Sequence, residues 1–454
     1  DPDIRKLLAI SLVQQRRVEE AVEHLKTIVS NNPDYIPAYE SLGMITEQYP
    51  EEFSGQLRHW YNDAVDANPE SAEALVSRAF FQMRKNNRKK ALEDLEKAEQ
   101  LDLSDTGVHL RLTRALIRLN RIDGALEHIE QIKADSPDNA ALWQLYSEAV
   151  MKTGSAEKMK QAANEGLSAL KDYPWNFMSQ ACELYIKSGE YSRAEECITD
   201  LKEKDYPQRV TSFLEGMLAS ARKDSHKAIA AWRKTIETGR ASAETRLSLA
   251  KALMDTGDTQ SALVQLRQLV SERPNMFQAR VELARILNQS RNWPEAIEHS
   301  RTALQLRPGS EQALFININS RLQQITSSQQ APAYQIKQLE DDLKTYDSVS
   351  QNKARAALLK VQLFALKGDF RSAEDILNNI PADIQEKPEV MLAEANLLAA
   401  QDETTAAKAV LRDVLDKYPQ NSLAARKLAL QLSQEDKFDE CEKLVLDFIE
   451  QCED

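Results

Sequence analysis

The chain has 454 residues, with only 12 glycines and an aromatic fraction of 6%. Its formal net charge of -13 gives an acidic surface that repels phosphate backbones and anionic lipid headgroups, so neither nucleic acid nor a membrane surface is an expected partner. No segment reaches the roughly 18 to 20 uninterrupted apolar residues that cross a bilayer, so direct membrane insertion is not expected.

Helical hairpins are predicted along the whole chain, because strong helix formers dominate the composition. Alanine recurs every 34 residues, at Ala194, Ala228, Ala262 and Ala296. A fixed period of this size predicts an all-α stack of small helical units rather than one globular core. Predicted unit starts, about thirteen in number, lie near residues 2, 36, 72, 106, 140, 175, 209, 243, 277, 311, 354, 388 and 422.

Residues 243–276 illustrate one unit. Two apolar stripes at helical spacing predict two helices, separated by a turn at 256–258. Gly257 in that turn accepts the left-handed conformation that ends a helix. Pro274 lacks a backbone N–H and ends the second helix.

The repeated pattern is a small residue, then alanine 12 positions later, then proline 12 positions after the alanine, as in Ala250, Ala262 and Pro274. At a period of 34 this pattern resembles the tetratricopeptide repeat, and the resemblance covers nearly the whole chain. It implies an α-solenoid that winds into a right-handed superhelix. The first helix of each unit would line a concave groove that binds a protein or peptide partner.

Irregularities in the repeat pattern divide the chain into three predicted segments. Residues 1–323 form an N-terminal array of about ten repeats that is irregular at 47–56 and 153–158. Residues 354–454 form a C-terminal array of three repeats. Residues 324–353 form an irregular junction, predicted to act as a hinge, because the sequence 327–332 interrupts the tenth unit.

A binding groove is predicted on units seven to ten. The resemblance implies that positions 2, 5, 9 and 12 of each unit face the groove. In units seven to ten these positions combine apolar side chains, cations and asparagines. These residues are Phe213, Met217, Lys251, Arg285, Asn288, Phe315 and Asn319. Apolar side chains drive burial, cations pair with carboxylates, and asparagine bonds an extended peptide backbone. Alternatively, the apolar members pack between neighbouring first helices. The carboxylate clamp of chaperone cofactors is not matched, so chaperone binding is not expected.

One basic run lies at the turn of the third unit. Its members are Arg84, Lys85, Arg88, Lys89 and Lys90. Such a run binds an acidic partner or serves as a nuclear signal, but a solvated turn is the preferred interpretation.

No catalytic, cofactor or metal motif is found. The sequence has no nucleotide-binding glycine loop, no HExxH and no GxSxG, and the six histidines lie far apart. We therefore expect neither an enzyme nor a bound cofactor or metal.

The four cysteines leave the compartment open between cytoplasm and periplasm. Cys182 and Cys197 face each other within one predicted hairpin, whereas Cys441 and Cys452 lie 11 residues apart on one helix, too far to bridge. Reduced core cysteines are the preferred interpretation. The oligomeric state is also open.

A non-catalytic interaction scaffold is the main functional hypothesis. The alternative is a scaffold region for periplasmic or envelope assembly or polysaccharide export, or a regulatory repeat arm of a larger enzyme. The start at Asp1 inside a helical pattern motivates this alternative, since it indicates a fragment or a processed chain. An apolar stripe on the last helix, with Leu444, Val445 and Phe448, also motivates it.

Overall fold

The computed structural model describes residues 1–53, 60–170, 175–239, 242–328 and 332–453. All regular structure in these ranges is α-helical. The chain divides into two compact units, Asp1–Ala241 and Ser242–Asp454.

The first unit contains seven antiparallel helical hairpins. Its helices are α1 (Pro2–Gln14), α2 (Val18–Asn31), α3 (Ile36–Gln48), α4 (Trp60–Ala67), α5 (Ala72–Arg84), α6 (Arg88–Ala98), α7 (Thr106–Arg118), α8 (Ile122–Asp135), α9 (Ala140–Thr153), α10 (Ala156–Ala169), α11 (Trp175–Ser188), α12 (Tyr191–Glu203), α13 (Gln208–Ala221) and α14 (Ser225–Glu237). A continuous apolar core runs through it from Ala72 to Leu218.

The second unit contains six further hairpins and one short extra helix. Its helices are α15 (Ala243–Asp255), α16 (Thr259–Glu272), α17 (Phe277–Gln289), α18 (Trp293–Leu306), α19 (Glu311–Ser328), α20 (Ala333–Val349), α21 (Lys353–Leu366), α22 (Phe370–Asn378), α23 (Ala382–Gln385), α24 (Pro388–Ala400), α25 (Thr404–Lys417), α26 (Ser422–Gln434) and α27 (Phe438–Glu453). Across both units, the thirteen hairpins in the described ranges confirm the predicted repeat.

The turn inside many of the hairpins uses one recurring backbone geometry, whatever residue occupies it. Gly257 has φ +80°, its N–H bonds to the Met254 carbonyl at 3.0 Å, and the Asp258 N–H bonds to the Leu253 carbonyl at 2.8 Å. This pair of bonds satisfies two carbonyls at the end of α15. Non-glycine residues take the same left-handed φ at the matching turns: Arg16, Asn86, Asn120, Lys223, Arg291, Asp402 and Asp436.

Small residues lie where the two helices of a hairpin cross, as predicted. Ala250 on α15 and Ala262 on α16 are both fully buried. In the seventh hairpin the small residue is Gly216, which packs against the indole of Trp232. Because a larger side chain would separate the helices, this spacing sets the shape of the hairpins.

A disulfide links Cys182 on α11 to Cys197 on α12, with a Cα–Cα distance of 5.7 Å. The preference for reduced cysteines is therefore wrong for this pair. The physical reason is that both residues occupy the crossing point of one hairpin, where the two backbones approach within the range that a disulfide spans. Both are buried in the core of the first unit.

The predicted junction at 324–353 lies inside the second unit. It contains the end of α19, which is 18 residues long, and all of α20, while residues 329–331 lie outside the described residues. Leu339, Leu343 and Tyr346 of α20 pack into one apolar cluster with α19 and α21. Bending there remains a prediction.

The other two predicted irregularities fall in the first unit. Part of 47–56 lies outside the described residues. Residues 153–158 hold the end of α9, a turn at Gly154 with φ +69° and the start of α10.

Candidate binding surface

The first helices of the second unit bring several predicted groove residues together around a carboxylate that was not predicted. Arg285 donates to Glu282 one turn before it on α17, from Nη2 at 2.6 Å and from Nε at 2.9 Å. Lys251 Nζ on α15 lies 3.7 Å from the other oxygen of Glu282. Glu282 therefore connects two successive first helices through their cations.

The polar contacts continue onto the next first helix. Asn288, one turn beyond Arg285 on α17, accepts a hydrogen bond from Ser320 Oγ of α19 at 2.9 Å. Asn319 Nδ2 lies 3.5 Å from the same amide oxygen. Lys251, Glu282, Arg285, Asn288 and Asn319 thus form one row across α15, α17 and α19, here called the polar row.

The polar row carries a surplus of one positive charge. Glu282 has 11% of its side chain exposed, whereas Lys251 and Arg285 have 46% and 42% exposed. Two cations share one carboxylate, and the cations form the more accessible part. An incoming carboxylate can therefore pair with them without displacing Glu282.

Sequence reasoning missed Glu282 because it considered only positions 2, 5, 9 and 12 of each unit. Glu282 stands at position 6, which carries an apolar or small residue in many other units. The i, i+3 spacing of Glu282 and Arg285 was the available signal, since such pairs face each other on a helix.

Phe315, the predicted aromatic groove residue of the second unit, is partly covered by its neighbours. The Phe315 ring is half-buried between two apolar clusters. The Arg355 guanidinium lies 4.9 Å from its centroid, and the Tyr346 ring lies 6.2 Å away. These contacts match the packing alternative more closely than a free apolar anchor.

Phe213 and Met217 belong to the first unit, on α13. Both are half-buried, and Met217 packs against the core of that unit. They are one helical turn apart, so they share a face of α13.

Family models place the repeat in three stretches of the chain. Tetratricopeptide repeat models match residues 82–149, 247–311 and 389–421. These stretches coincide with hairpins whose turns, small crossing residues and period are described above. The chain is a tetratricopeptide repeat protein. Among curated proteins, no sequence matches it.

Solved structures similar to this tetratricopeptide repeat protein include three of low identity. A tetratricopeptide repeat protein from Parabacteroides merdae has 14% identity and a TM-score of 0.42, covering 53% of this chain and 99% of that one. The APC/C hetero-tetramer Cut9-Hcn1 has 12% identity and a TM-score of 0.44, with 95% and 96% covered. A thermophilic tetratricopeptide repeat protein from Thermus thermophilus has 21% identity and a TM-score of 0.36, with 42% and 99% covered. The assignment rests on the repeat models.

Tetratricopeptide repeats are protein-interaction modules, so the protein is an interaction scaffold in general terms. Repeat proteins of this kind are generally non-catalytic. Among the described residues, no group of three or more His, Cys, Asp or Glu side chains is arranged to hold a metal ion. In the same part of the chain, no helix is both long and apolar enough to cross a membrane.

Most of the predicted basic run of this repeat protein makes internal contacts. Arg84 and Lys85 pair with the two oxygens of Glu47 at 3.0 and 3.2 Å. Arg88 donates to the Leu119 carbonyl of the next hairpin. Arg84 and Lys85 still have 44% and 54% of their side chains exposed, so an acidic partner would meet them together with the exposed Lys89 and Lys90.

A histidine pair lies at the interface of α7 and α8 of the repeat protein. His109 Nε2 lies 2.8 Å from His128 Nδ1, and His128 Nε2 lies 3.3 Å from Glu99 Oε1. If His128 Nε2–H donates to Glu99, its Nδ1 can accept a hydrogen bond from His109 Nε2–H. Burial, and then the neighbouring His128, lower the pKa of His109.

We expect the stability of the protein to fall as pH decreases through about 6.5, the ordinary pKa of histidine. Burial and the adjacent Arg280 also lower the pKa of His299. The unfolded chain therefore binds protons at a higher pH than the folded chain, so acid favours unfolding. The slope cannot exceed about 1.4 kcal/mol per pH unit for each histidine. Urea unfolding between pH 7.5 and pH 5.5 measures this slope, with a His109→Gln, His299→Gln variant as control. An equal slope in the variant would show that these two histidines do not cause the pH dependence.

Proposed function

We propose that the scaffold binds an extended, acidic segment of a protein partner along the polar row of the second unit. The observation that supports this most is the sharing of the buried Glu282 by Lys251 and Arg285. Glu282 pairs with both cations, whose side chains are 46% and 42% exposed, and the three groups together retain a net positive charge. A carboxylate of the partner neutralises that charge.

The asparagines of the polar row supply the second contact. Asn288 and Asn319 present amide groups next to the cations on α17 and α19. An amide both donates and accepts, so it matches the alternating groups of an extended peptide backbone. The cations would then select acidic side chains, while the asparagines would hold the chain between them.

The apolar residues of the predicted groove have a smaller part in this proposal. Phe213 and Met217 lie on the first unit and are not part of the polar row. Phe315 presents only the part of its ring that Arg355 leaves uncovered. Specificity therefore depends chiefly on charge.

The test compares capture of partners by wild type and by a Lys251→Glu, Arg285→Glu variant. The matched control is Lys344→Glu, Arg412→Glu, which makes the same change of charge on α20 and α25, away from the first helices. Quantitative mass spectrometry of proteins captured from native lysate is the measurement. We expect a partner retained by the control and reduced at least about tenfold with the variant, as for the loss of one charge-assisted contact. Equal capture by all three proteins would contradict the proposal.

A scaffold in an oxidising compartment, such as an envelope assembly scaffold, is the second candidate. The Cys182–Cys197 disulfide favours it, because disulfides are rare in reducing cytosol and persist in secreted and periplasmic proteins. The test is thiol labelling of the protein in intact source cells before any reduction. Labelling of both cysteines after denaturation, without reductant, would exclude this candidate.

A further inference from the structure

The eleventh hairpin contains a cleft beside a second helix that ends early. This helix, α22, has 9 residues, whereas α18 and α25 each have 14. The sequence explains the early end, since Pro381 disfavours helix at the residue before it and cannot donate a backbone bond. The Asn379 side chain donates to the Asp375 backbone carbonyl at 2.7 Å, and so satisfies one of the carbonyls at the end of α22.

The shortened helix leaves the start of α21 uncovered. After Pro381 the chain forms α23, and the Gln385 side chain fixes the corner by donating to the Ile380 carbonyl at 2.8 Å. Between this corner and α21 lies a cleft of about 780 Å³. This volume is within the range of small-molecule sites, roughly 300–1,000 Å³.

One wall of the cleft is aliphatic. Ile376, Ile380 and Ile384, spaced four residues apart around the corner of α22 and α23, all line the cleft and are here called the isoleucine strip, although Ile380 is only 4% exposed. Ala354 and Ala357 of α21 line the cleft with them. A peptide backbone lying on this strip would bury amides without partners, whereas an alkyl chain would not.

The other wall carries two ammonium groups and one carboxylate. Lys360 Nζ lies 2.8 Å from Asp347 Oδ2, and Lys353 Nζ lies 3.9 Å from Asp347 Oδ1. The hydrogen bond from Lys360 lowers the pKa of Asp347, which stays ionised, so the cluster keeps one surplus positive charge. Asp375 also lines the cleft and would repel an anionic group, which would therefore bind at the ammonium groups.

We propose that this cleft binds a medium-chain aliphatic carboxylate, with its alkyl chain on the isoleucine strip and its carboxylate at Lys353 and Lys360. The site differs from the polar row in both position and chemistry, so failure of one proposal leaves the other untouched. Burial of each methylene favours binding, and the ammonium groups fix the orientation.

The test is a titration of protein labelled at isoleucine methyl groups with octanoate, followed by NMR. We expect saturable shifts concentrated at Ile376, Ile380 and Ile384. Octanol, which has the same chain without the charge, should bind about tenfold more weakly, as for one lost charge-assisted contact. Shifts spread evenly over the isoleucines of the protein, or equal binding of octanol, would overturn the proposal.

Variants locate the contacts. Lys360→Met should weaken octanoate binding about tenfold, while Lys344→Met, a matched change on an exposed lysine of α20, should not. Ala357→Phe should fill the cleft and abolish the shifts, with circular dichroism confirming the fold. A peptide ending in leucine that binds where octanoate does not would also overturn the proposed ligand.

Discussion

Replacing Gly216 with alanine is expected to lower the free energy of unfolding by about 2–3 kcal/mol, the upper part of the range for an overpacked core. A Cβ atom at Gly216 would lie 2.4 Å from Trp232 Nε1 and 2.5 Å from Trp232 Cδ1. The indole is 3% exposed and Ala228 of the same helix is fully buried, so the ring has little room to move. The strain must therefore separate α13 from α14.

The matched control for this prediction is Gly124→Ala on α8. A Cβ there meets its nearest atom, Leu116 Cδ1, at 3.9 Å, which is ordinary contact. Because alanine is the better helix former, this change should leave stability unchanged or raise it by about 0.5 kcal/mol. Hydrogen exchange should locate the loss in Gly216→Ala to α13, α14 and their neighbours, since each repeat contacts only the next. Equal stability of the two variants would refute the packing argument.

The fold was predictable because local signals repeat. An apolar stripe, a small residue at the crossing and a proline after the second helix gave starts within one residue of those observed, as at Ala243 and Phe277. The turns were less predictable. Glycine identified the left-handed residue at Gly257, but Lys223 and Arg291 adopt the same φ without it. There the bonds that satisfy the end of the first helix outweigh the cost of a Cβ in that conformation.

The candidate site was predictable only in part. Repeat position placed Lys251, Arg285, Asn288 and Asn319 on the same faces of their helices, and the structure joins them in one row. Repeat position alone did not identify Glu282. Its pairing with Arg285 could be read from the i, i+3 spacing, but its contact with Lys251 on the neighbouring first helix depends on a distance that sequence spacing does not give. The cleft beside α22 was missed for a similar reason, since it results from a helix that ends early.

The cysteine pair shows the same limit of sequence reasoning. Cys182 and Cys197 stand at facing positions of one hairpin, a signal that was present in the sequence. Whether such a pair is bonded depends on a Cα–Cα distance, here 5.7 Å. Burial alone gave equal support to two reduced thiols, because free cysteine is among the most buried residue types.

Reduction of the Cys182–Cys197 disulfide is expected to lower the free energy of unfolding by about 3 kcal/mol, the chain-entropy estimate for a closed loop of this size. The two cysteines are 15 residues apart in sequence. The bond restricts the unfolded chain, while both sulfur atoms stay buried in the folded core. The measurement is urea unfolding of the same protein with and without dithiothreitol, after complete reduction in the unfolded state.

Two variants decide whether that loss comes from this bond. Cys182→Ala, Cys197→Ala should remove the dependence on reductant, whereas Cys441→Ser should keep it, since Cys441 is a free, half-buried cysteine on α27. Because each repeat contacts only its neighbours, faster hydrogen exchange after reduction should begin in α11 and α12 and extend to α10 and α13 before it reaches other helices. Unchanged unfolding on reduction, or a loss that also occurs in the double variant, would show that the hairpin is held by packing alone.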